Sequence, residues 1–400
     1  MALPTQKDLN SVSFEDIAVA FASKSDQQLR KTYWLFKIMN KSRAVNLGTF
    51  FLKLALKLNL PIKNLIRSTI FEQFCGGETI SDCEQTITHL GQAGIGTILD
   101  YSVEGEETES CYDLTLQQII LTIEKAAHTP HVPFAVFKLS GIAPTELLEA
   151  YQREESLNTA DQAAFDKVVS RLDTLCSYAY HHDVRLFIDA EESWIQGTID
   201  QLASRMMAQY NRKKAVVFNT YQMYRSESLQ GLKSAYLAGR EQGYHIGAKL
   251  VRGAYMEKER LRARENNYSS PIHATKEATD IDYNAAIEFC LEHLQFMAIC
   301  MGTHNEYSCQ YCISRMKKIG LELDDERIWF AQLLGMSDNI TYNLAQAGYN
   351  TAKYVPYGPI ASVMPYLIRR ARENTAMTGQ SSREYLLTKN EMERRGISSL

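Results

Sequence analysis

Tyr366, Arg369 and Arg370 stand at i, i+3 and i+4, so on a helix they share one face. A guanidinium holds a carboxylate through two parallel hydrogen bonds and keeps its charge at any physiological pH. Two of them beside a tyrosine ring suit the capture of a small carboxylic acid. A solvated basic helix face is the competing reading of the same spacing. The other residues able to do chemistry close short apolar runs: Asp100, Lys138, Asp189, Asn219, Lys249 to Tyr255, Thr303-His304-Asn305, Gln332 and Tyr354. Lys138, Lys249, Arg252, Arg369 and Arg370 make a cationic set, with Asp100 and Asp189 as counter-charges. A cationic mouth concentrates anionic ligands.

The apolar runs that carry these residues are Ile95 to Tyr101, Phe134 to Leu139, Val184 to Asp189, Ala215 to Phe218, Ile246 to Val251, Met297 to Met301, Arg327 to Phe330 and Ala352 to Val355. Helical periodicity fills the gaps, over Leu114 to Ala127, Pro144 to Tyr180, Ile199 to Tyr210 and Leu229 to Gln242. It continues over Ile272 to Leu294, Glu306 to Lys318, Met336 to Ala347 and Ile360 to Asn374. Near-continuous apolar strands indicate burial on both faces, as in a parallel sheet. Eight consecutive strand–helix units predict an α/β fold of the (βα)8 TIM-barrel type. Chemistry there belongs at the C-terminal strand ends. An open doubly wound sheet is the alternative.

Residues 1–92 read as a helical arm, 93–390 as the barrel and 391–400 as a tail. Ser13 and Asp16 suit a capping box opening the first helix. Apolar-periodic segments follow through Trp34, Phe36 and Ile38, and from Phe50 to Leu60. The second, with Lys53 and Lys57, is too short and charged to span a bilayer and suits packing on the body or lying on a membrane surface.

A hydrophobic share of 45% supports a real core, and a net charge of -4 argues against nucleic acid as a partner. Eight cysteines in 400 residues make no disulfide scaffold; apolar settings such as Leu175-Cys176 suit a reducing compartment. With no export or organelle signal at the start, the expected location is cytoplasmic. Cys309 and Cys312 have knuckle spacing but lack a second pair, so no metal is expected. No dinucleotide glycine motif or P-loop follows a strand. Residues alone therefore lead to a barrel that binds, and acts on, a small anion.

The segments Phe137-Lys138-Leu139-Ser140, Asp189-Ala190-Glu191, Phe218 to Gln222, Ala248 to Tyr255, Gly302 to Asn305, Gln332 to Met336 and Tyr354 to Arg370 resemble the proline dehydrogenase family. Their wording is nearest the monofunctional, eukaryotic-type branch. The resemblance implies a distorted barrel holding FAD, with a closing helix over its top. It implies that Arg369, Arg370 and Lys138 grip the carboxylate of L-proline, and that Tyr255, Leu334, Tyr354 and Tyr366 wall its ring. Lys138, Asp189 and Lys249 would be the catalytic set, and Ala190, Asn219, Lys249, Val251, Arg252, Gly253, Thr275, Thr303 and His304 the FAD contacts. Bacterial bifunctional relatives carry Arg in place of Lys249 and Gln in place of Asn219. The implied reaction is hydride transfer to flavin N5, yielding Δ1-pyrroline-5-carboxylate, with electrons passed to a quinone. A peripheral contact with the inner face of the cell membrane, through Phe50 to Leu60, Lys53, Lys57 and Lys63, goes with that acceptor. Hydroxyproline dehydrogenase is the near alternative, against which the bulk of Tyr354 speaks; a non-catalytic amino-acid-binding barrel is the distant one.

Overall fold

An apolar run cannot satisfy its own amides, so each must find neighbours. In the computed structural model, β1 (Ile95–Tyr101), β2 (Phe134–Lys138), β3 (Arg185–Asp189), β4 (Val217–Gln222), β5 (Ile246–Val251), β6 (Met297–Gly302), β7 (Ile328–Leu333) and β8 (Thr351–Tyr357) pair in sequence order and close a barrel. All pairs are parallel, and β8 returns to β1 in register from Ile95 opposite Thr351 to Tyr101 opposite Tyr357. The structure describes residues 12–41, 45, 48–49, 63–103, 107–154, 157–376 and 380–398. The TIM-barrel expectation holds.

Side chains alternate across a strand, so every second residue faces the barrel axis. Ile98, Phe134, Val136, Phe187, Phe218, Cys300 and Ala352 make a buried inner floor. Phe134 and Phe187 stack at 4.3 Å, and Trp329 meets Phe134 edge-on at 5.2 Å. Two residues further along several of these strands, on the same inner face, come Asp100, Lys138, Asp189 and Tyr354. The opposite faces bury Leu186, Ile188, Val217, Ile246 and Ile299 against the surrounding helices.

Several boundaries differ from expectation. β4 and β7 extend past Phe218 and Phe330 because Asn219, Gln222 and Gln332 find side-chain or backbone partners and can stay in the sheet. The span Pro144 to Tyr180 is two helices, Thr145–Gln152 and Thr159–His181, parted where Glu154 turns to a φ of 54° and Asn158 caps Ala160 and Asp161. The span Ile272 to Leu294 starts only at Lys276, where Thr275 caps, and an extra helix, Met256–Glu265, precedes it.

The arm supplies helices Ile17–Phe21 and Asp26–Met39. Asp16 itself caps the first, accepting from Val19 N at 3.3 Å; Ser13 accepts only from Glu15 N, so no box forms there. The capping box is Ser25 with Gln28, one helix later. Phe36, Met39, Phe71 and Phe74 bury against Ile360, Val363, Met364 and Leu367 of the closing helix Ile360–Ala376. Each such apolar side chain contributes about 1.5–3 kcal/mol. The Phe50 to Leu60 segment lies outside the described residues. A further helix, Gln380–Arg394, runs across residue 390 and packs on Asp26–Met39. Just beyond it, Arg395 donates to the carbonyls of Phe21 and Lys24, both at 2.7 Å.

Arm and barrel also share a buried ion cluster. Asp338 accepts from Lys24 of the arm and Lys353 of β8, each at 2.8 Å. Burial alone would raise the Asp338 pKa; the charges of Lys24 and Lys353 override it and hold the carboxyl well below its usual range. Asp338→Asn leaves two ammoniums without their carboxylate and should cost about 3–5 kcal/mol in urea unfolding at pH 7. Because the folded pKa is depressed, this stabilisation is present above the ordinary carboxylate pKa and is lost as pH falls through the folded one. The gap between wild type and variant should therefore narrow in acid, and equal stability at pH 7 would refute the pair's role.

Candidate functional site

Asp189 ends β3 and faces the axis above the aromatic floor. Its Oδ1 accepts from Lys249 Nζ at 2.6 Å and from Thr220 Oγ1 at 3.4 Å, and its Oδ2 accepts from the Tyr354 hydroxyl at 2.5 Å. Lys249 is 5% exposed and stands 4.4 Å from the Tyr354 ring centre and 5.2 Å from that of Phe187. A buried ammonium is tolerable only with such a carboxylate and aromatic faces around it. Burial, then the charges of Asp100 and Asp189, push the Tyr354 pKa well above its usual value, so the phenol keeps its proton and donates.

Lys138 sits opposite Asp189 in the β2–β3 register. Its charge works against burial at Asp100 and at Glu191, both of which still have raised pKa values. Ser102 donates to Asp100, and Glu191 accepts from Ser140 N at 2.9 Å and from the Ser140 hydroxyl. Lys138 is thus the half-buried cation of a mouth lined by Asp100, Asp189 and Glu191.

The closing helix begins directly after β8, its Ile360 N–H donating to Glu78 at 3.1 Å. Arg369 and Arg370 lie on it half-buried rather than in bulk water. Arg370 lies 5.4 Å from the Tyr366 ring centre. The charge of Arg369 acts on Tyr255 beyond β5, and that of Arg370 on His304 beyond β6. Leu334 follows the end of β7, its N–H donating to the Tyr354 carbonyl at 2.9 Å.

The β5–β6 rim is a second cluster. Arg252 donates to Asp280 at 2.7 Å, Thr303 at 2.6 Å and Ser308 at 2.9 Å, with Tyr283 beneath it at 4.3 Å. Those contacts hold its guanidinium in one plane. Gly253 follows with a φ of 145°, and a Cβ there would stand 2.4 Å from the Tyr224 ring, so only glycine lets the chain lie this flat. Ala254 N donates to Gln222 at 3.1 Å, and Gln222 in turn donates to the Glu191 carbonyl at 2.7 Å. His304 Nδ1 lies 2.9 Å from Ser337 Oγ. Burial, then the charges of Lys353, Arg370 and Arg252, push its pKa down to about 3, so the imidazole is neutral at pH 7.

The residues expected at a site fall into these two groups, with exceptions. Asn219 turns outward and donates to Asp200 on the helix Ser193–Tyr210 at 2.8 Å. Alternation decides this: Phe218 and Thr220 take the inner face, so Asn219 cannot. Gln332 also faces out, donating to the Thr303 carbonyl at 3.0 Å. Thr275 is an exposed helix cap, accepting from Ala278 N at 3.2 Å. Ala190 is buried beside Asp189, and Val251 is half-buried at the end of β5. Cys309 and Cys312 pack the helix Glu306–Lys318 as buried thiols, burial pushing the Cys309 pKa up to about 12. Glu191, Gln222, Ser337 and Glu384 were not among the expected site residues. Glu191 and Gln222 lay within quoted segments; the roles of Ser337 and Glu384 depend on backbone geometry and helix docking, which leave no local pattern.

Chemically, the arrangement can clamp a carboxylate between Arg369, Arg370 and Lys138 while enclosing the attached ring among tyrosines. The rim can hold a larger anionic, aromatic group through a fixed guanidinium, a hydroxyl and a neutral imidazole. Among the described residues there is no cluster of side chains suited to a metal ion.

Residues 83–383 match the family model described as proline dehydrogenase. The chain is 34% identical to the carbapenem antibiotics biosynthesis protein CarD of Pectobacterium carotovorum, over 84% of this chain and 86% of that protein. It is 30% identical to proline dehydrogenase 1, mitochondrial, of Dictyostelium discoideum, over 98% of this chain and 76% of that protein. Against the human protein of the same name, identity is 39% over 62% of this chain, covering 41% of that protein. Among solved structures, proline utilization A from Bdellovibrio bacteriovorus, inactivated by N-propargylglycine, superposes with a TM-score of 0.71 at 18% identity. That likeness of fold covers 93% of this chain but 40% of the other.

The neutral His304 has a consequence for acid stability. A base with a depressed folded pKa contributes stability above its ordinary pKa of about 6.5, lost progressively as pH falls towards the folded value. His304→Asn should therefore lose less stability than the wild type between pH 6.5 and pH 4. Urea midpoints with parallel pH slopes for the two proteins would refute it.

Proposed function

The chain belongs to the proline dehydrogenase family, and from that membership we propose that it oxidises L-proline to Δ1-pyrroline-5-carboxylate with FAD as its cofactor. The observations that carry this reading are the half-buried guanidiniums Arg369 and Arg370 on the closing helix and the Asp189–Lys249–Tyr354 layer at the strand ends. Arg369, Arg370 and Lys138 hold the carboxylate of proline, and Tyr255, Leu334, Tyr354 and Tyr366 enclose its ring. Asp189 fixes Lys249 and Tyr354 in place. Loss of a hydride from the adjacent carbon requires the bound amine in its uncharged form, which positive charge beside it favours. A proton leaves the nitrogen and a hydride leaves the carbon, giving a carbon–nitrogen double bond.

The donor set at the β5–β6 rim fits FAD: Arg252, Thr303 and His304 would hold it, with Lys249, Val251, Gly253, Ala190 and the more distant Thr275 alongside. Asn219 would contribute only main-chain atoms, because its side chain is bonded to Asp200. FAD, when bound, supplies the hydride acceptor. The arm packs on the closing helix through Phe36, Phe71 and Phe74.

We further propose a quinone-type electron acceptor and a peripheral membrane contact on the cytoplasmic face. Trp34 and Ile38, 44% and 53% exposed, with Lys37 4.2 Å from the Trp34 ring centre, give the arm an apolar and basic face suited to it. No helix among the described residues is long and apolar enough to cross a membrane.

Anaerobic addition of L-proline to the purified, FAD-loaded chain should bleach the flavin absorbance. Arg369→Met and Arg370→Met should each raise KM about ten- to hundredfold, since a charge-assisted bond is worth about 1.5–3 kcal/mol. A protein that takes up no FAD, or one that turns over trans-4-hydroxy-L-proline faster than L-proline, would overturn the assignment. For the membrane contact, Trp34→Glu with Ile38→Glu should reduce flotation on phosphatidylglycerol liposomes several-fold. Equal recovery of variant and wild type removes that contact.

A further inference from the structure

The proposed reaction leaves one buried line of hydrogen bonds unused, and it runs from the C-terminal helix to the cofactor rim. Between β7 and the helix Asp338–Gln346 the chain makes a tight turn, Gly335-Met336-Ser337, that three separate elements grip. From the arm, Gln73 donates to the Gly335 carbonyl at 2.9 Å, and its own carbonyl would lie 2.1 Å from a Cβ at Gly335. From β8, Lys353 donates to the Met336 carbonyl at 2.6 Å. From the helix Gln380–Arg394, Glu384 accepts from Ser337 N at 2.6 Å.

Ser337 is held at a φ of 50°, a left-handed conformation that a serine adopts only when its surroundings impose it. Glycine, Asn or Asp would sit there with less strain, yet the residue is one with a hydroxyl. That hydroxyl is 2.9 Å from His304 Nδ1. Ser337 and Glu384 are 2% and 4% exposed, so solvent cannot take the place of either contact. The orientation of an imidazole at a binding site is commonly set by the hydrogen bond made at its other nitrogen.

We infer that Ser337 is a positioning residue for His304, and that Glu384 sets it by holding the Ser337 amide, so that docking of the C-terminal helix aligns the imidazole at the cofactor rim. The inference rests on the reading of that rim as the FAD site. Its first consequence, a fixed His304 ring and tautomer, belongs to the protein alone. Its second is FAD affinity.

The test is Ser337→Gly, which removes the hydroxyl and suits the left-handed backbone, so relief of backbone strain offsets part of the lost contact. Glu384→Ala removes the acceptor, and Glu384→Gln keeps an oxygen at the same place. Nitrogen-15 histidine spectra without added ligand, with His304 assigned through His304→Asn, should show one tautomer in the wild type and in Glu384→Gln. Ser337→Gly and Glu384→Ala should both show averaged tautomers. FAD titrated into Ser337→Gly should bind about fivefold more weakly than into the wild type, roughly what one net hydrogen bond is worth. His304 signals identical in Ser337→Gly and wild type overturn the proposal; so do unchanged signals in Glu384→Ala, or a changed spectrum with unchanged FAD affinity. A wild type that binds no FAD defeats the functional reading instead, and the histidine spectra then decide the latch by themselves.

Discussion

A lysine ammonium inside a β-barrel is the constraint on which the rest of this molecule depends. Lys249 has aromatic rings on two sides and almost no access to water, and Asp189 is its ion-pair partner within hydrogen-bonding distance. Asp189 in turn needs further donors, which Tyr354 and Thr220 supply from β8 and β4. Four of the eight strands thus meet at one carboxylate. A single polar layer above an aromatic floor leaves the upper end of the barrel charged and the lower end sealed. The closing helix adds two half-buried guanidiniums, Arg369 and Arg370, to this molecule.

Strand alternation assigns each polar residue near the mouth to one of two jobs. Residues on the inner face, such as Lys138, Asp189, Lys249 and Tyr354, surround the space where a ligand would sit. Asn219, Gln332 and Lys353, of the opposite parity, face the helical layer, where they bond to Asp200, the Thr303 carbonyl and Asp338. The outer set stiffens the scaffold that the inner set needs. A polar residue at a strand end is therefore ambiguous until its parity relative to the apolar floor is known.

Much of this was legible in the residues. The eight apolar runs gave the barrel, because burial on both faces leaves a parallel strand no polar alternation to hide in. The spacing of Tyr366, Arg369 and Arg370 put them on one helix face, and in the structure Tyr366 is buried while the two guanidiniums are half-buried on the closing helix. Asn219 was misplaced because a strand taken to stop at Phe218 turned an outward residue into a terminal one. The helix Gln380–Arg394 went unread because polar residues dominate it; its partner, Asp26–Met39, lies more than three hundred residues away. Ser337 escaped for a different reason: a left-handed serine has no signature that distinguishes it from a serine in any other turn.

The grip of Arg395 on the carbonyls of Phe21 and Lys24 joins the two extremes of the described chain. During synthesis the arm leaves the ribosome before the barrel, yet the surface it must settle on is completed by helices that follow the barrel. The barrel strands can pair as they appear, while Phe36 and Phe74 wait for Val363 and Leu367. The arm is therefore covered only after the closing helix has emerged, and until then its unpartnered apolar face is the segment most in need of a chaperone.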